Sequence, residues 1–321
     1  MSIVVTGGAG FIGSCLVRML NDAGEKDIYI VDDIGQTEKW KHLVNKSYRE
    51  YIHKDAFLER LDSLSGEVTH VIHMGACSST TERDFDYLYK NNFEYSKRLW
   101  DHCAREGISL IYASSAATYG SGSEGFDDTA DIGALRPLNG YGYSKQRFDL
   151  WAERQTQAPA QHVGLKFFNV YGPNEDCKGD MASVVYKAFR QIQATGKVEL
   201  FRSHHPDYAD GGQLRDFIYV KDICRAIAAL IRHPEVNGLF NLGTGHARSF
   251  ADLAKATFAA MGLPENIEYI DMPEHLRGKY QYFTQAEMGK FRSVLGGQGF
   301  HTLEDGVEDY VRSYLGPGEI Y

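Results

Sequence analysis

The chain predicts a doubly wound parallel α/β sheet with a smaller, discontinuous α/β substrate lobe. Three observations carry that prediction. Short apolar runs alternate with helical patterns from the N-terminus to about residue 170, the alternation that gives parallel strands with crossover helices. A glycine-spaced turn, Gly7-x-x-Gly10-x-x-Gly13, joins the first apolar run to the first helical stretch. The rhythm changes after Tyr171-Gly172-Pro173, where a polar loop interrupts it.

Taken in order, Ile3–Thr6 reads as a buried strand, and Phe11–Ala23 as a helix with Phe11, Ile12, Cys15, Leu16, Met19 and Leu20 on one face. Ile28–Asp32, Thr69–His73, Leu110–Ser114 and Val163–Val170 read as further strands, with helices near 83–106 and 142–156. Beyond residue 171 come a helix at Met181–Thr195 and a strand at Val198–Phe201. Asp216–Val220 then reads as a return to the main sheet, followed by a helix to Arg232 and a strand at Leu239–Gly243. A helix (Phe250–Met261), a strand (Ile267–Asp271) and a terminal helix (Leu303–Tyr314) complete the pattern. The expected division is a cofactor domain of residues 1–170 plus 215–247, and a substrate domain of 171–214 plus 248–321.

Composition narrows the function class. With 34 Lys+Arg against 43 Asp+Glu, the net charge is −9, which disfavours nucleic acid as a partner. No run of 18 apolar residues suggests a membrane span, and the first residues do not read as a signal peptide. Five scattered cysteines without a Cys-x-x-Cys suggest neither a disulfide framework nor a zinc site, so a reducing cytoplasm is expected. His204-His205 reads as part of a loop rather than as a metal site, and no metal is expected.

The glycine turn points to a dinucleotide. Its first glycine permits the tight turn, the second lets backbone approach a pyrophosphate, and the third lets helix pack on strand. The helix N-terminus adds free N–H groups and a positive dipole end. Asp32, about 20 residues beyond the last glycine, stands where a ribose-binding carboxylate belongs. Together these make the expected sheet Rossmann-type. Asp32 and Asp33 favour NAD, because a carboxylate repels a 2′-phosphate. Lys39 and Lys54 keep NADP open, although isolated lysines are more often solvated surface charges.

A second constellation carries chemistry. Ser114-Ser115 ends a strand, and Tyr141-Gly142-Tyr143-Ser144-Lys145 opens a helix. Tyr141 and Lys145 share a helix face at i,i+4. An ammonium beside a phenol lowers its pKa and suits it to acid–base work near neutrality. Ser115 is placed to hold the same substrate oxygen, and Tyr143 points elsewhere.

On Gly7–Gly13, Ser115 and Tyr141-x-x-x-Lys145 the chain resembles the extended short-chain dehydrogenase/reductase family, which includes nucleotide-sugar epimerases and dehydratases. The resemblance runs along nearly the whole chain. Gly75–Glu82, Tyr112–Gly120, Lys178–Ser183, Phe168–Pro173, Arg215–Phe217 and Tyr280-Gln281-x-Phe283-Thr284 are similar to the branch that acts on ADP-linked heptoses. The resemblance implies oxidation at C6 of the sugar and re-reduction from the other face, with NADP retained as cofactor. It implies Tyr141 and Lys178 as the two acid/base groups, Lys145 on the nicotinamide ribose, and Ser115 on the reacting oxygen. By the same matching, Phe11, Ile12, Asp32, Asp33, Lys39, Lys54, Met74, Gly75, Ala76, Cys77, Ser78, Asn91 and Val170 line the cofactor. Asn169, Asp180, Lys187, Phe201, Arg202, Ser203, His204, Arg215 and Tyr280 face the sugar nucleotide, with Arg215 as a fork on the diphosphate. A homo-oligomer is also implied.

The chain departs from the family at Asp180, which replaces a serine, at Arg202-Ser203-His204, and in a longer, more acidic loop from His205 to Leu214. These touch nucleotide contacts and leave the hydride chemistry alone. Two other readings stay open: another nucleotide-sugar epimerase, such as one acting on UDP-glucose, and a nucleotide-binding regulator on the same scaffold. A dehydratase carries Asp-Glu where this chain has Ala116-Ala117.

Overall fold

The structure, a computed structural model, describes residues 2–64, 66–277, 280–297 and 299–321. Met1, the first residue of the expected cofactor domain, lies outside the described residues. In chain order the elements are β1 (Ser2–Thr6), α1 (Phe11–Asp22), β2 (Ile28–Asp32), β3 (Glu50–His53), α2 (Lys54–Arg60), β4 (Val68–His73), α3 (Phe85–Leu88), α4 (Tyr95–Glu106), β5 (Ser109–Ser115), α5 (Gly140–Glu153), β6 (His162–Phe167) and β7 (Asn169–Tyr171). Then follow α6 (Val184–Thr195), β8 (Val198–Phe201), β9 (Leu214–Tyr219), α7 (Val220–Ile231), β10 (Gly238–Leu242), β11 (Ala247–Ser249), α8 (Phe250–Met261), β12 (Ile267–Ile270), α9 (Glu274–Arg277), α10 (Gly289–Leu295) and α11 (Leu303–Tyr310).

The central sheet runs β10-β6-β5-β4-β1-β2-β3, and its paired strands are parallel. All five residues of β1 and of β2 are buried, as expected of strands covered on both faces. Ile3 and Val5 pack into the layer of α1 and α7, while Val4 packs into the layer of α4 and α5. The strand order reverses between β1 and β4, the position where doubly wound sheets open a crevice at their carboxyl ends. Thr6 and His73 end those two strands and meet side chain to side chain at 2.6 Å.

Several elements differ from the expected pattern, each for a local reason. The run Val163–Val170 is two strands. Phe168 N–H still donates to Leu242 in the main sheet, but Asn169–Tyr171 turn away and pair with Phe217–Tyr219. For the same reason the segment around Asp216 does not return to the main sheet: β9 is the centre of a separate sheet, β11-β9-β7. The long helix expected over 83–106 starts at Phe85 and contains a π-helical stretch, Tyr89–Glu94. The helix expected from Met181 starts at Val184, because Ser183 caps it and the left-handed Gly179 (φ +52°) breaks the turn before it. The last helix is α-helical only to Tyr310 and continues as a π-turn, Val311–Leu315. β3, α2, β11 and α10 carried too little periodic pattern to be expected. Among the described residues no helix is long and apolar enough to cross a membrane.

Candidate active site

The glycine turn is sterically enforced. Gly7 sits at φ +66°, and a Cβ there would lie 2.7 Å from Gly75 N. A Cβ on Gly13 would lie 2.1 Å from the Gly7 carbonyl oxygen, so α1 can approach the turn only without a side chain at that position. Gly10 caps α1 without any side-chain hydrogen bond and no acidic residue occupies the first turn, so the positive helix end stays available to an anion.

Beside this turn lies a cleft of about 190 Å³. Gly7, Asp32, Asp33, Lys39, Lys54, Gly75, Ala76, Cys77 and Asn91 line it, together with Tyr87 and Tyr95. Asp32 is almost fully engaged. One oxygen accepts from Ala9 N–H at 2.9 Å, and the other from Asp33 N–H at 2.7 Å and from the Lys39 ammonium at 2.6 Å. Lys54 reaches Asp55 at 3.1 Å. The Cβ-free backbone cradle and this polar cleft fit the adenosine and pyrophosphate parts of a dinucleotide. Phe11, Ile12, Met74, Ser78, Val170, Lys145 and Lys178 do not line this cleft.

Ser115, Tyr141 and Lys145 come together at the carboxyl end of β5 and the first turns of α5. Asn139 accepts from Gly142 N–H at 2.8 Å and starts α5. The Ser115 hydroxyl accepts from Ala117 N–H at 3.1 Å and also meets the Tyr141 phenol. Lys145 is buried and donates to the Ala113 carbonyl at 2.7 Å. Burial pushes its pKa down to about 8, against the pull of Asp149. The expected depression of the Tyr141 phenol is not found. Burial raises its pKa, and only the Ser115 hydrogen bond works the other way, because desolvation of a phenolate outweighs one neutral hydrogen bond. Tyr143 is exposed and stacks on Phe85 with ring centroids 5.5 Å apart.

Behind these residues is a buried polar network that the sequence did not announce. Asp149, on the turn of α5 after Lys145, accepts from Ser114 Oγ at 2.6 Å. The buried Lys166 donates to Thr118 Oγ1 at 2.9 Å, with its ammonium 4.3 Å from the Tyr119 ring centre. The carboxylate supports both ammonium groups, whose own pKa values burial lowers. Asn92, in the π-helical stretch, accepts from Cys77 N–H at 2.8 Å and donates to Ser144 Oγ at 3.0 Å. It thereby ties the segment beside the cleft to α5. A polar residue among apolar helix positions was the only signal for it, and Asn91 next to it has the cleft-facing place.

Lys178 lies in the 3₁₀ turn Asp176–Met181 with its ammonium 5.4 Å from the Phe11 ring centre. Burial lowers its pKa, opposed by Glu175 and Cys177. The buried Glu175 organises this turn: Ser183 donates to it through N–H and, at 2.7 Å, through its hydroxyl, and Gly172 N–H donates at 3.3 Å. Asp180 is exposed, and its carbonyl, rather than its carboxylate, accepts from Lys187 at 2.7 Å.

Arg215, Phe201 and Tyr280 also converge. The Arg215 guanidinium lies between the Phe250 and Tyr280 rings, 5.6 and 5.4 Å from their centres. It donates to the carbonyls of Leu214 and Gln281, and among the described residues no carboxylate pairs with it. Phe201 meets Tyr280 edge to face at 6.4 Å. Arg202, Ser203 and His204 belong to an exposed loop: Arg202 lies 4.0 Å from Asp271, Ser203 N–H donates to Asp210 at 2.8 Å, and His204 N–H donates to Tyr282 at 3.2 Å. Asn169 is exposed on β7.

Comparison with known proteins bears on the family and the fold. Residues 3–243 match the NAD dependent epimerase/dehydratase family. An ADP-L-glycero-D-manno-heptose-6-epimerase of Nitratidesulfovibrio vulgaris is 56% identical over 315 residues, covering 97% of each chain. One of Fusobacterium nucleatum is 47% identical over 330 residues, covering 99% of each. The crystal structure of the Helicobacter pylori enzyme of that name superposes with a TM-score of 0.81 at 28% identity, covering 97% of this chain and 95% of that one. This chain belongs to the NAD dependent epimerase/dehydratase family.

Proposed function

We propose that this chain inverts C6 of ADP-D-glycero-D-manno-heptose to give ADP-L-glycero-D-manno-heptose, with NADP as its retained dinucleotide. The observation that carries the reading is the pairing of two sites. Ser115 at the end of β5 and Tyr141 and Lys145 on α5 form one cluster, and Lys178 lies beside Phe11 at the start of α1. Inversion needs the sugar oxygen to lose a proton in one orientation of the carbon and regain it in the other, and two acid/base groups on separate elements meet that need. The near-full-length likeness to two heptose epimerases selects the substrate.

When bound, the dinucleotide supplies a hydride acceptor and donor for the sugar carbon. The chain does the rest. The helix end at Gly10 and the Gly7 cradle hold the pyrophosphate. Ser115 holds the reacting oxygen, Tyr141 or Lys178 removes its proton as a transient 6-ketone forms, and, once the ketone has turned its other face towards the dinucleotide, the other group returns a proton to that oxygen. Arg215, fixed between two rings, offers its fork to the diphosphate. Asp32 does not oppose a 2′-phosphate, because Lys39 already compensates its charge, and Lys54 adds a cation in the same cleft. In this reading residues 1–170 with 215–247 serve the dinucleotide, and 171–214 with 248–321 serve the sugar nucleotide. A homo-oligomer working in the cytoplasm and supplying heptose for the lipopolysaccharide core belongs to the same proposal.

The test is incubation of the dinucleotide-loaded protein with ADP-D-glycero-D-manno-heptose and NMR assignment of the C6 configuration. Inversion is expected in the intact protein and absent in Tyr141→Phe. Unchanged substrate with folded, loaded protein overturns the reading. Release and mass analysis of the bound dinucleotide distinguishes NADP from NAD.

A further inference from the structure

His42 is buried, and its two ring nitrogens face two different loops. Nδ1 lies 2.9 Å from the carbonyl oxygen of Ala9, inside the glycine turn. Nε2 lies 2.9 Å from Asp176 Oδ1, two residues before Lys178. A carbonyl oxygen can only accept, and so can an ionised carboxylate. The Asp176 carboxyl is held below the usual range, chiefly by its hydrogen bond to His42. A neutral imidazole has one N–H, so it would set a lone pair against an oxygen lone pair at one of the two contacts. Only the imidazolium satisfies both.

We propose that His42 is a positioning residue that straps the segment carrying Lys178 to the glycine turn, and that the strap closes only when its ring carries both protons. The proposal rests on the reading of Lys178 as an acid/base group. The charged groups around the junction are Asp176, Lys178, Lys39 and Asp32, which all act on Cys177, with Glu38 and Lys41 on the turn that carries His42. The thiols nearby, Cys15 on α1 and Cys177, are pushed up to about 12 and about 11 by burial, and they stay neutral. Within this set Asp176 alone makes a direct ion pair with the ring. With only one ring proton, one of the two contacts is repulsive and the Lys178 turn loses its register on the cofactor side.

The test uses the dinucleotide-loaded, full-length protein. ¹⁵N NMR of labelled histidine reads the ring directly: both His42 nitrogens protonated at neutral pH supports the strap, and a neutral tautomer overturns it whatever the activity. In Asp176→Asn the side-chain amide donates to Nε2 while Nδ1–H still reaches Ala9, so a neutral ring suffices. That variant should keep turnover while the same ¹⁵N measurement finds a single proton on the His42 ring; a ring still carrying both protons there counts against the proposal. His42→Phe should lower kcat by about tenfold to a hundredfold, the cost of a small displacement of a reacting group, with a smaller change in KM. Lys178→Met separates the two claims. If it retains full turnover, the acid/base role of Lys178 fails, while the ¹⁵N result still judges the strap.

Discussion

The two walls of the site are built in opposite ways. On one side, Tyr141 and Lys145 ride on the first turns of a capped helix, and Lys145 is locked by a single carbonyl. On the other, Lys178 rides on an irregular turn held by buried side chains: Glu175 gripping Ser183 and Gly172, and His42 gripping Asp176. Backbone hydrogen bonds hold the helical wall whatever the protonation state. The loop wall depends on ionisable groups removed from water, where an unmade hydrogen bond is expensive. The difference teaches that one wall of the proposed site owes its rigidity to regular structure and the other to electrostatics.

Breaking each wall should therefore look different. The largest effect is expected at the helical wall. Under the proposed role Tyr141→Phe removes an acid/base hydroxyl and should lower kcat by about a thousandfold with little change in the unfolding midpoint, read by steady-state kinetics and urea denaturation. Glu175→Ala should act on the other wall through folding. It leaves two N–H groups and the hydroxyls of Ser183 and Tyr310 without their partner, at a cost of about 2–4 kcal/mol, visible as a lower urea midpoint before any kinetic assay.

Lys145→Met sharpens the contrast, since function and stability should part. Lys145 has its folded-state pKa lowered to about 8 from 10.5, so the folded state binds its proton less well than the unfolded chain does. That penalty is complete below pH 8 and fades as pH rises from about 8 towards 10.5. Turnover should fall by about a hundredfold. Stability at pH 7 should rise by about 1–2 kcal/mol, since roughly 3 kcal/mol of penalty at 1.36 kcal/mol per pKa unit is offset by the lost bond to Ala113. Repeating the denaturation at pH 10 should erase the gain. The smallest effect is expected in the cleft: Lys39→Ala should weaken NADP relative to NAD by about tenfold, as loss of one phosphate-side cation does, measured by dinucleotide titration.

Much of the fold was legible in the residues. Strands β2 and β8 and helix α8 have the expected bounds, because a buried parallel strand such as β2 is a nearly continuous apolar run, a half-buried one such as β8 alternates, and a helix keeps its 3.6 period. Ser115, Tyr141 and Lys145 were legible because their spacing within helix and strand end is local. The split of Val163–Val170 was not: both halves are equally apolar, and only the pairing of Asn169–Tyr171 with Phe217–Tyr219 tells them apart. Nor were Asn92, Asp149 and His42. Each lies far along the chain from the group it holds, and a lone polar residue carries no sign of burial.

Read alone, the sequence determined the glycine turn, since a side chain at Gly13 has no room beside Gly7, and the alternation that makes a parallel sheet. It determined which residue types could move protons. The tertiary structure decided their condition: that Tyr141 is raised rather than lowered, that Asp32 meets Lys39, that Arg215 lies between rings instead of against carboxylates, and that His42 joins two loops. The physical reason is that desolvation and pairing depend on which distant segments close over a group, and no local pattern encodes that.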